Sequence, residues 1–566
     1  MIILAVLVTS LPAQETVPAF PEAEGFGAGA VGGRGGDVYI VTNLEDHGSG
    51  SLRYGIVTAD GPRTIVFEVS GTIELQSSLE VDKSNITIAG QTAPGEGITL
   101  SGYVLRLEAD HLIVRYLRAR MGDQHHNEMD AVQVSRGSHI ILDHLTASWG
   151  IDEVLSFQSD DIDSITVQWC MVTESLNDSY HHKGGHGAAQ IIGALHQTVH
   201  HNLYAHHNHR SPKVSGRRHC EVDFRNNVIY NWGKNNCYDG STSYLNWTKN
   251  YYKAGPGTDE GVRHRIFRLS DEDITKNNDR WRDSETYETS LYAEENYVHG
   301  YPSVTEDNWA GGVALYDGAN EADHRAHTPF EFPGITEQSA VGAYPLVLAD
   351  VGASLARDPI DQRIVDEVAR GGTKYTGPKT GKPGIIDSQR DVGGLPALYS
   401  LPAPIDTDRD GMPDFWEEQF GLDAHDSANN SGDPDGDVYT NIEEYINNTD
   451  PLNEGNQIVY LSTPDTRAQE DTGEPGRFTL HRSGDLQNPL TVQYTVSGTA
   501  ENGTDYASLS GTAQFPAGES SVNLAIEPIA DSQDEGAEKM IVTVDAGETE
   551  YKAGCPVSSL VIIAEK

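Results

Sequence analysis

Between about residues 36 and 255 the chain repeats one pattern: a short β-branched run, a few polar residues, then another run. Thr64–Val69, Ser84–Ala89, His111–Leu117, Ser138–Asp143, Ser164–Trp169, Thr198–Leu203 and Cys220–Phe224 begin 20 to 34 residues apart. Alternation within each run fits a strand with one buried face. The spacing is too long for tight hairpins and suits one coil of a solenoid built from several short strands and turns. A β-sandwich turns about every 8 to 12 residues over about 100 residues, whereas this pattern persists for more than 200. The expected fold is all-β, a right-handed parallel β-helix in which no coil is stable without its neighbours.

Residues 256–400 lose the period. Gly342–Leu355 and Asp358–Ala369 read as short amphipathic helices packed around the solenoid, so that unit is expected to span 25–400. From Asp406 to Asp450, fourteen Asp or Glu stand against one Arg. Asp406, Asp408, Asp410, Asp414 and Glu417 occupy loop positions 1, 3, 5, 9 and 12, with Gly411 at 6, which is the EF-hand pattern for calcium. Asp433, Asp435, Asp437, Asn441 and Glu444 repeat it, with Val438 where the turn glycine belongs. A solvated acidic linker is the other reading of this second loop. Together, residues 404–452 are expected to form a calcium-binding linker, a structural clip between two domains. Residues 456–566 alternate at short spacing, as in Leu490–Ser497 and Val522–Ile529, and fit a small β-sandwich.

A formal net charge of −46 over 566 residues repels nucleic acid and anionic lipid, so neither is an expected partner. Met1–Ala13 is apolar and reads as an export signal, although it lacks a basic leading region. No other run approaches the ~18 apolar residues of a membrane span. The expectation is a secreted monomer. The four cysteines form no metal-type CxxC set; Cys220 and Cys237 are candidates for a disulfide, and Cys170 reads as a small buried hydrophobe.

The densest polar material lies on the solenoid. Because coils stack, residues distant in sequence stand side by side. Glu128 and Asp130, two apart in an extended segment, are expected on one side, with Asp152 or Glu153 approaching from the next coil. Carboxylates crowded in this way invite a hard cation or a proton, and calcium is the favoured occupant. A glycosidase acid and base pair, with Asp160–Asp161 as a further candidate, and an inert polar surface are the alternatives. Ten histidines fall between residues 181 and 219. Without helix-borne HExxH spacing they argue for a stack of inward hydrogen-bonding His and Asn more than for zinc.

The segments Asp130–Val134, Leu142–Ser148, His200–Tyr204, Arg210–Lys213 and Arg225–Trp232 together resemble the pectate lyases of polysaccharide lyase family one, over roughly residues 25–395. The resemblance implies a secreted parallel β-helix that cleaves α-1,4-linked polygalacturonate by β-elimination. It implies endo-acting cleavage to 4,5-unsaturated oligogalacturonides, with calcium as cofactor. Carried onto this chain, it makes Arg210 the residue that takes the C5 proton and Lys183 a contact to the substrate carboxylate. Calcium falls to Glu128, Asp130 and Asp152, with Glu153 beside them. Two positions depart from the pattern. Ser215 stands where the family often has a second arginine, and the adjacent Asp152-Glu153 replaces a pair four residues apart. Free arginine loses its proton only above ~12, so a water oriented by Arg210 is the other route.

Asp505-Tyr506, Phe515–Gly518, the acids of 531–538 and Ile541–Val544 resemble a Calx-beta domain over about 95 residues. The implied partner is an acidic plant or marine polysaccharide, which an acidic enzyme meets through local cations and salt. A lyase for pectin or another uronate polymer, and a noncatalytic calcium-stabilised polysaccharide-binding solenoid, share these features.

Overall fold

The computed structural model describes residues 17–215, 220–240, 242–269, 289–530, 536–546 and 550–564; the Met1–Ala13 segment lies outside them. Each of the seven runs between Thr64 and Phe224 contributes a strand to one parallel sheet of ten strands, from Asp37–Val41 to Ser290–Glu294. Two parallel sheets of nine strands complete each coil. Each strand pairs with its counterpart one coil along: Val114 stands beside Leu142, Leu142 beside Val167, and Val167 beside Val199. The result is a parallel β-helix, and these inward positions are 0–1% exposed.

The corner after the ten-stranded sheet explains how the coil closes. Tyr116, His144, Trp169, His201, Asn226, Lys249 and Glu295 occupy it in seven coils, all with φ between 52° and 58°. None is glycine, so each corner carries left-handed strain. Further along the solenoid the next residue offsets that strain. Asn202 donates to Asn227 Oδ1 at 3.0 Å, Asn227 to Asn250 at 3.1 Å, Asn250 to Asn296 at 2.9 Å, and Asn296 to Asn308 at 2.9 Å. Each Oδ1 from Asn227 onward also accepts the backbone N–H of the preceding asparagine. Side chains thus satisfy corner amides that no sheet reaches.

The two helices expected beyond the solenoid form at Ala340–Asp350 and Pro359–Arg370. Asp358 caps the second, accepting from the N–H groups of Ile360 and Asp361, and Gly371 ends it at φ 75°. Both helices bury Val347, Leu348, Ile360 and Ile364 against Met121, Trp149 and Leu203 of the solenoid. Beneath them Arg118 and Arg120 are fully buried. Arg120 Nη2 lies 2.7 Å from Asp361 Oδ1 and 3.0 Å from Asp358 Oδ1.

The acidic linker forms the helices Asp414–Phe420 and Asn441–Asn447. Their Trp416, Ile442 and Ile446, with Met412 just before the first helix, pack between Ile40, Val66 and Ala89 of the solenoid and Ile458 and Cys555 of the C-terminal unit. That unit has one sheet of four strands and one of five around Val459, Phe478, Tyr494 and Phe515. All four cysteines are buried, and no disulfide joins Cys220 to Cys237, which stand in strands of two different sheets. Among the described residues no helix is long and apolar enough to cross a membrane.

Candidate functional site

The turns that connect the two nine-stranded sheets carry the polar cluster. In four successive coils they are residues 121–131, 149–152, 174–187 and 206–212. Asp130 comes from the first turn, Asp152 from the second, Lys183 from the third and Arg210 from the fourth. Glu153 opens the strand Glu153–Gln158, next to Asp152.

Oxygen atoms of Asp130, Asp152 and Glu153 lie within 4.8 Å of one another. Asp130 is 5% exposed and is fixed by its neighbours: Oδ1 accepts from Glu153 N at 2.9 Å, and Oδ2 from Ser156 Oγ. Burial pushes its carboxyl up to about 7; the Ser156 hydrogen bond opposes this and the Asp152 charge reinforces it. Asp152 goes the other way. Burial works against its charge, but hydrogen bonds and charge from His186 and His181 overcome it and bring it down to about 2. An all-oxygen set from two adjacent coils suits a hard cation.

Glu128 meets the cluster through histidine. Residues 127–130 form no regular strand, so strand alternation is not what places it. Glu128 Oε1 lies 3.2 Å from His181 Nε2 and 2.5 Å from His182 Nδ1. His181 is the link, since its Nε2 is also 3.1 Å from Asp152 Oδ1. His186 Nε2 is likewise 3.1 Å from Asp152 Oδ1, and its ring stacks on that of His181 with centroids 3.9 Å apart. Sequence reading missed these partners; the only signal was the histidine run, which says nothing about which acids it meets. Other histidines of that run turn inward, as His207 does: its Nε2 lies 2.7 Å from Val172 O and its Nδ1 2.9 Å from Ser175 Oγ.

Arg210 ion-pairs with Glu153 through Nη1. Its own φ is 61°, and its backbone carbonyl accepts from Gln190 N at 2.7 Å, so the main chain pins the fourth turn to the strand that follows the third, Ala188–Gly193. Lys183 is exposed and belongs to the same face, with its N–H donating to His181 Nδ1 at 3.1 Å. Ser215 is hydrogen-bonded to Gln158, and Lys213 Nζ lies 3.2 Å from Asp239 Oδ2. Asp160 and Asp161 stand beyond the far end of Glu153–Gln158, away from the three-acid cluster.

A probable pectate lyase C of Emericella nidulans is 37% identical over 414 residues, 72% of this chain and 87% of that protein. The chain belongs to the pectate lyase family. A probable pectate lyase C of Aspergillus terreus is 36% identical over 448 residues, 76% of this chain and 94% of that protein. Residues 453–566 match the Calx-beta domain. The solved major allergen from cedar pollen superposes with a TM-score of 0.40 at 18% identity, covering 58% of this chain and 92% of that one.

This pectate lyase carries two more acidic groups, both in the linker. Oxygens of Asp406, Asp408 and Asp410 lie within 4.8 Å of one another, as do those of Asp433, Asp435 and Asp437. Burial, with the surrounding acids, pushes Asp410 up to about 8 and Glu417 and Glu444 up to about 7. Asp414 stands apart from its group, accepting from Thr407 N and Thr407 Oγ1 at 2.7 Å each. Asn441 likewise directs its amide nitrogen to Asn429 O at 2.8 Å.

Proposed function

We propose that the chain cleaves α-1,4-polygalacturonate by β-elimination within the polymer, with calcium held on Asp130, Asp152 and Glu153. The observation that supports this most directly is the meeting of three carboxylates and Arg210 on one solenoid face, contributed by separate coils. A bound calcium ion supplies charge neutralisation for the uronate carboxylate, and so eases loss of the adjacent C5 proton.

The chain's own groups do the rest. Glu153, ion-paired with Arg210, holds the guanidinium beside the three carboxylates and so fixes where it faces the sugar. Arg210 in its neutral form, or a hydroxide-like water oriented by its guanidinium, receives the C5 proton. The C5–H electrons become the C4–C5 double bond, and the C4–O bond breaks with its pair on oxygen, which then takes up a proton. Lys183, exposed beside His181, offers its ammonium to a neighbouring uronate carboxylate. Glu128 acts through His181, which it shares with Asp152 and which helps to orient that carboxylate. The same reading makes the protein a secreted monomer that acts on acidic plant or marine polysaccharide.

Polygalacturonate is the test substrate, with methylated pectin and other polyuronates beside it. Rising ultraviolet absorbance from unsaturated ends, lost in Arg210→Ala and on chelation and restored to the parent by calcium, is the expected result. New reducing ends without that absorbance would mean hydrolysis, and binding without turnover would mean a noncatalytic solenoid.

A further inference from the structure

The linker contains buried oxygens with nothing to bind. Both oxygens of Asp408, Oδ2 of Asp410 and Oε2 of Glu417 lack hydrogen-bond partners in the first loop; Asn441 Oδ1 and Glu444 Oε2 lack them in the second. Asp410, Glu417, Asn441 and Glu444 are each no more than 2% exposed. Buried polar atoms as a rule are hydrogen-bonded or bound to a metal. These belong to the loops whose acids already converge.

The two loops are joined through one turn, Asn429–Ser431. Asn429 Nδ2 donates to the second oxygen of Glu417, Oε1, at 2.8 Å, while Asn429 O accepts from Asn441 Nδ2 at 2.8 Å. Asn430 Nδ2 reaches Asp410 O at 3.3 Å. Setting Glu417 therefore sets Asn441.

The helix that follows each loop grips a neighbouring unit. Gln419 accepts from Ala553 N at 2.8 Å and donates to Ala553 O at 3.2 Å, in the C-terminal unit. Asn447 Oδ1 accepts from Arg115 Nη1 of the solenoid at 2.7 Å, and Glu443 lies 2.8 Å from Arg34. Asn448, next in the chain, binds both N and O of Cys555.

We propose that the two loops bind two calcium ions cooperatively, and that this pair clamps the Calx-beta unit to the solenoid. The first site comprises Asp406, Asp408, Asp410 and Glu417, and the second Asp433, Asp435, Asp437 and Glu444. Their oxygen-only, strongly anionic donor sets select calcium over softer metals. Val438 does not spoil the second loop. It adopts φ 86°, and its N–H reaches Asp433 Oδ2 at 3.0 Å, as the N–H of Gly411 reaches Asp406 Oδ2 at 3.0 Å. A β-branched residue there stores strain that a bound ion helps to hold.

Full-length protein stripped by chelator and titrated with calcium by calorimetry tests this, with the Glu417→Gln plus Glu444→Gln double variant defining any ion held on the solenoid. Glu417→Gln is expected to lose one linker ion and weaken the other at least tenfold. Unchanged affinity at the second loop would overturn the coupling. Arg409 is already exposed, so stripping is expected to loosen the loop backbone around it, quicken tryptic cleavage there and enlarge the scattering radius; an unchanged cleavage rate with an unchanged radius would overturn the clamp. Val438→Gly leaves the donors in place and relieves strain, so it is expected to tighten the second site several-fold; unaltered or weaker binding counts against that site.

Discussion

Asp143 and His144 are neighbours in sequence and a buried pair in the fold, with Asp143 Oδ2 2.9 Å from His144 Nδ1. Arg115 Nε shares that oxygen at 2.7 Å. Burial alone would strip the proton from His144. The Asp143 charge, helped by exposed Asp350, reverses this and takes it from 6.5 up to about 9. A folded pKa above the unfolded one gives stability that is complete below pH 6.5 and lost as pH rises through about 9. Asp143 has the opposite sign: burial is outweighed by His144 and Arg115, which hold its carboxyl well below the usual range, so its contribution disappears in acid. Stability should therefore fall by roughly 2 kcal/mol between pH 6.5 and 9 after screening at Asp350, and the melting temperature should fall with it. His144→Gln should flatten that decline; an identical decline in the variant would assign it to other groups.

Arg210→Lys keeps a cation beside buried Glu153 but loses the planar fork. Turnover of polygalacturonate, followed by the absorbance of unsaturated ends, should drop about 10³-fold. The melting temperature should change little. Loss of activity with equal loss of stability would make Arg210 a structural partner of Glu153 only.

Asp361 pairs with Arg120 and accepts from Thr146 Oγ1 at 2.7 Å, all fully buried. Asp361→Ala leaves guanidinium charge uncompensated beneath the second solenoid helix. Denaturant unfolding should show about 3–5 kcal/mol lost. A loss under about 1 kcal/mol would mean that Asp358 alone neutralises both arginines.

Asn250 makes hydrogen bonds to Asn227 N, Asn227 Nδ2, Phe224 O and Asn296 Oδ1. Asn250→Ala should cost about 2–4 kcal/mol. Amide exchange should quicken in the coils that hold Asn227 and Asn296 together; acceleration confined to Asn250 would deny the ladder its cooperative role.

The repeat itself was readable because the ten-stranded sheet has its longest runs, such as Gly137–Asp143 and Ile162–Gln168. The other two sheets consist mostly of three-residue strands, as in Thr146–Ser148, too short to show alternation. Stacking alone makes them strands. Asp130, Asp152 and Arg210 were visible as residue types that chemistry needs. The partners of Glu128 were not, because an irregular turn gives no side to count from, and His181 reaches it across two coils. Cys220 and Cys237 looked joinable by spacing, yet consecutive stretches of a coil carry them into different sheets.

The sequence of turns that carries Asp130, Asp152, Lys183 and Arg210 makes the solenoid a ruler. Strands repeat about every 4.8 Å along the axis, so each coil marks one graduation. On the function proposed above, a polymer laid across the turns is read graduation by graduation, and that face lengthens only by adding whole coils at its ends. Reach along the substrate is then a matter of how many times the chain has wound, and chemistry a matter of which winding carries Arg210.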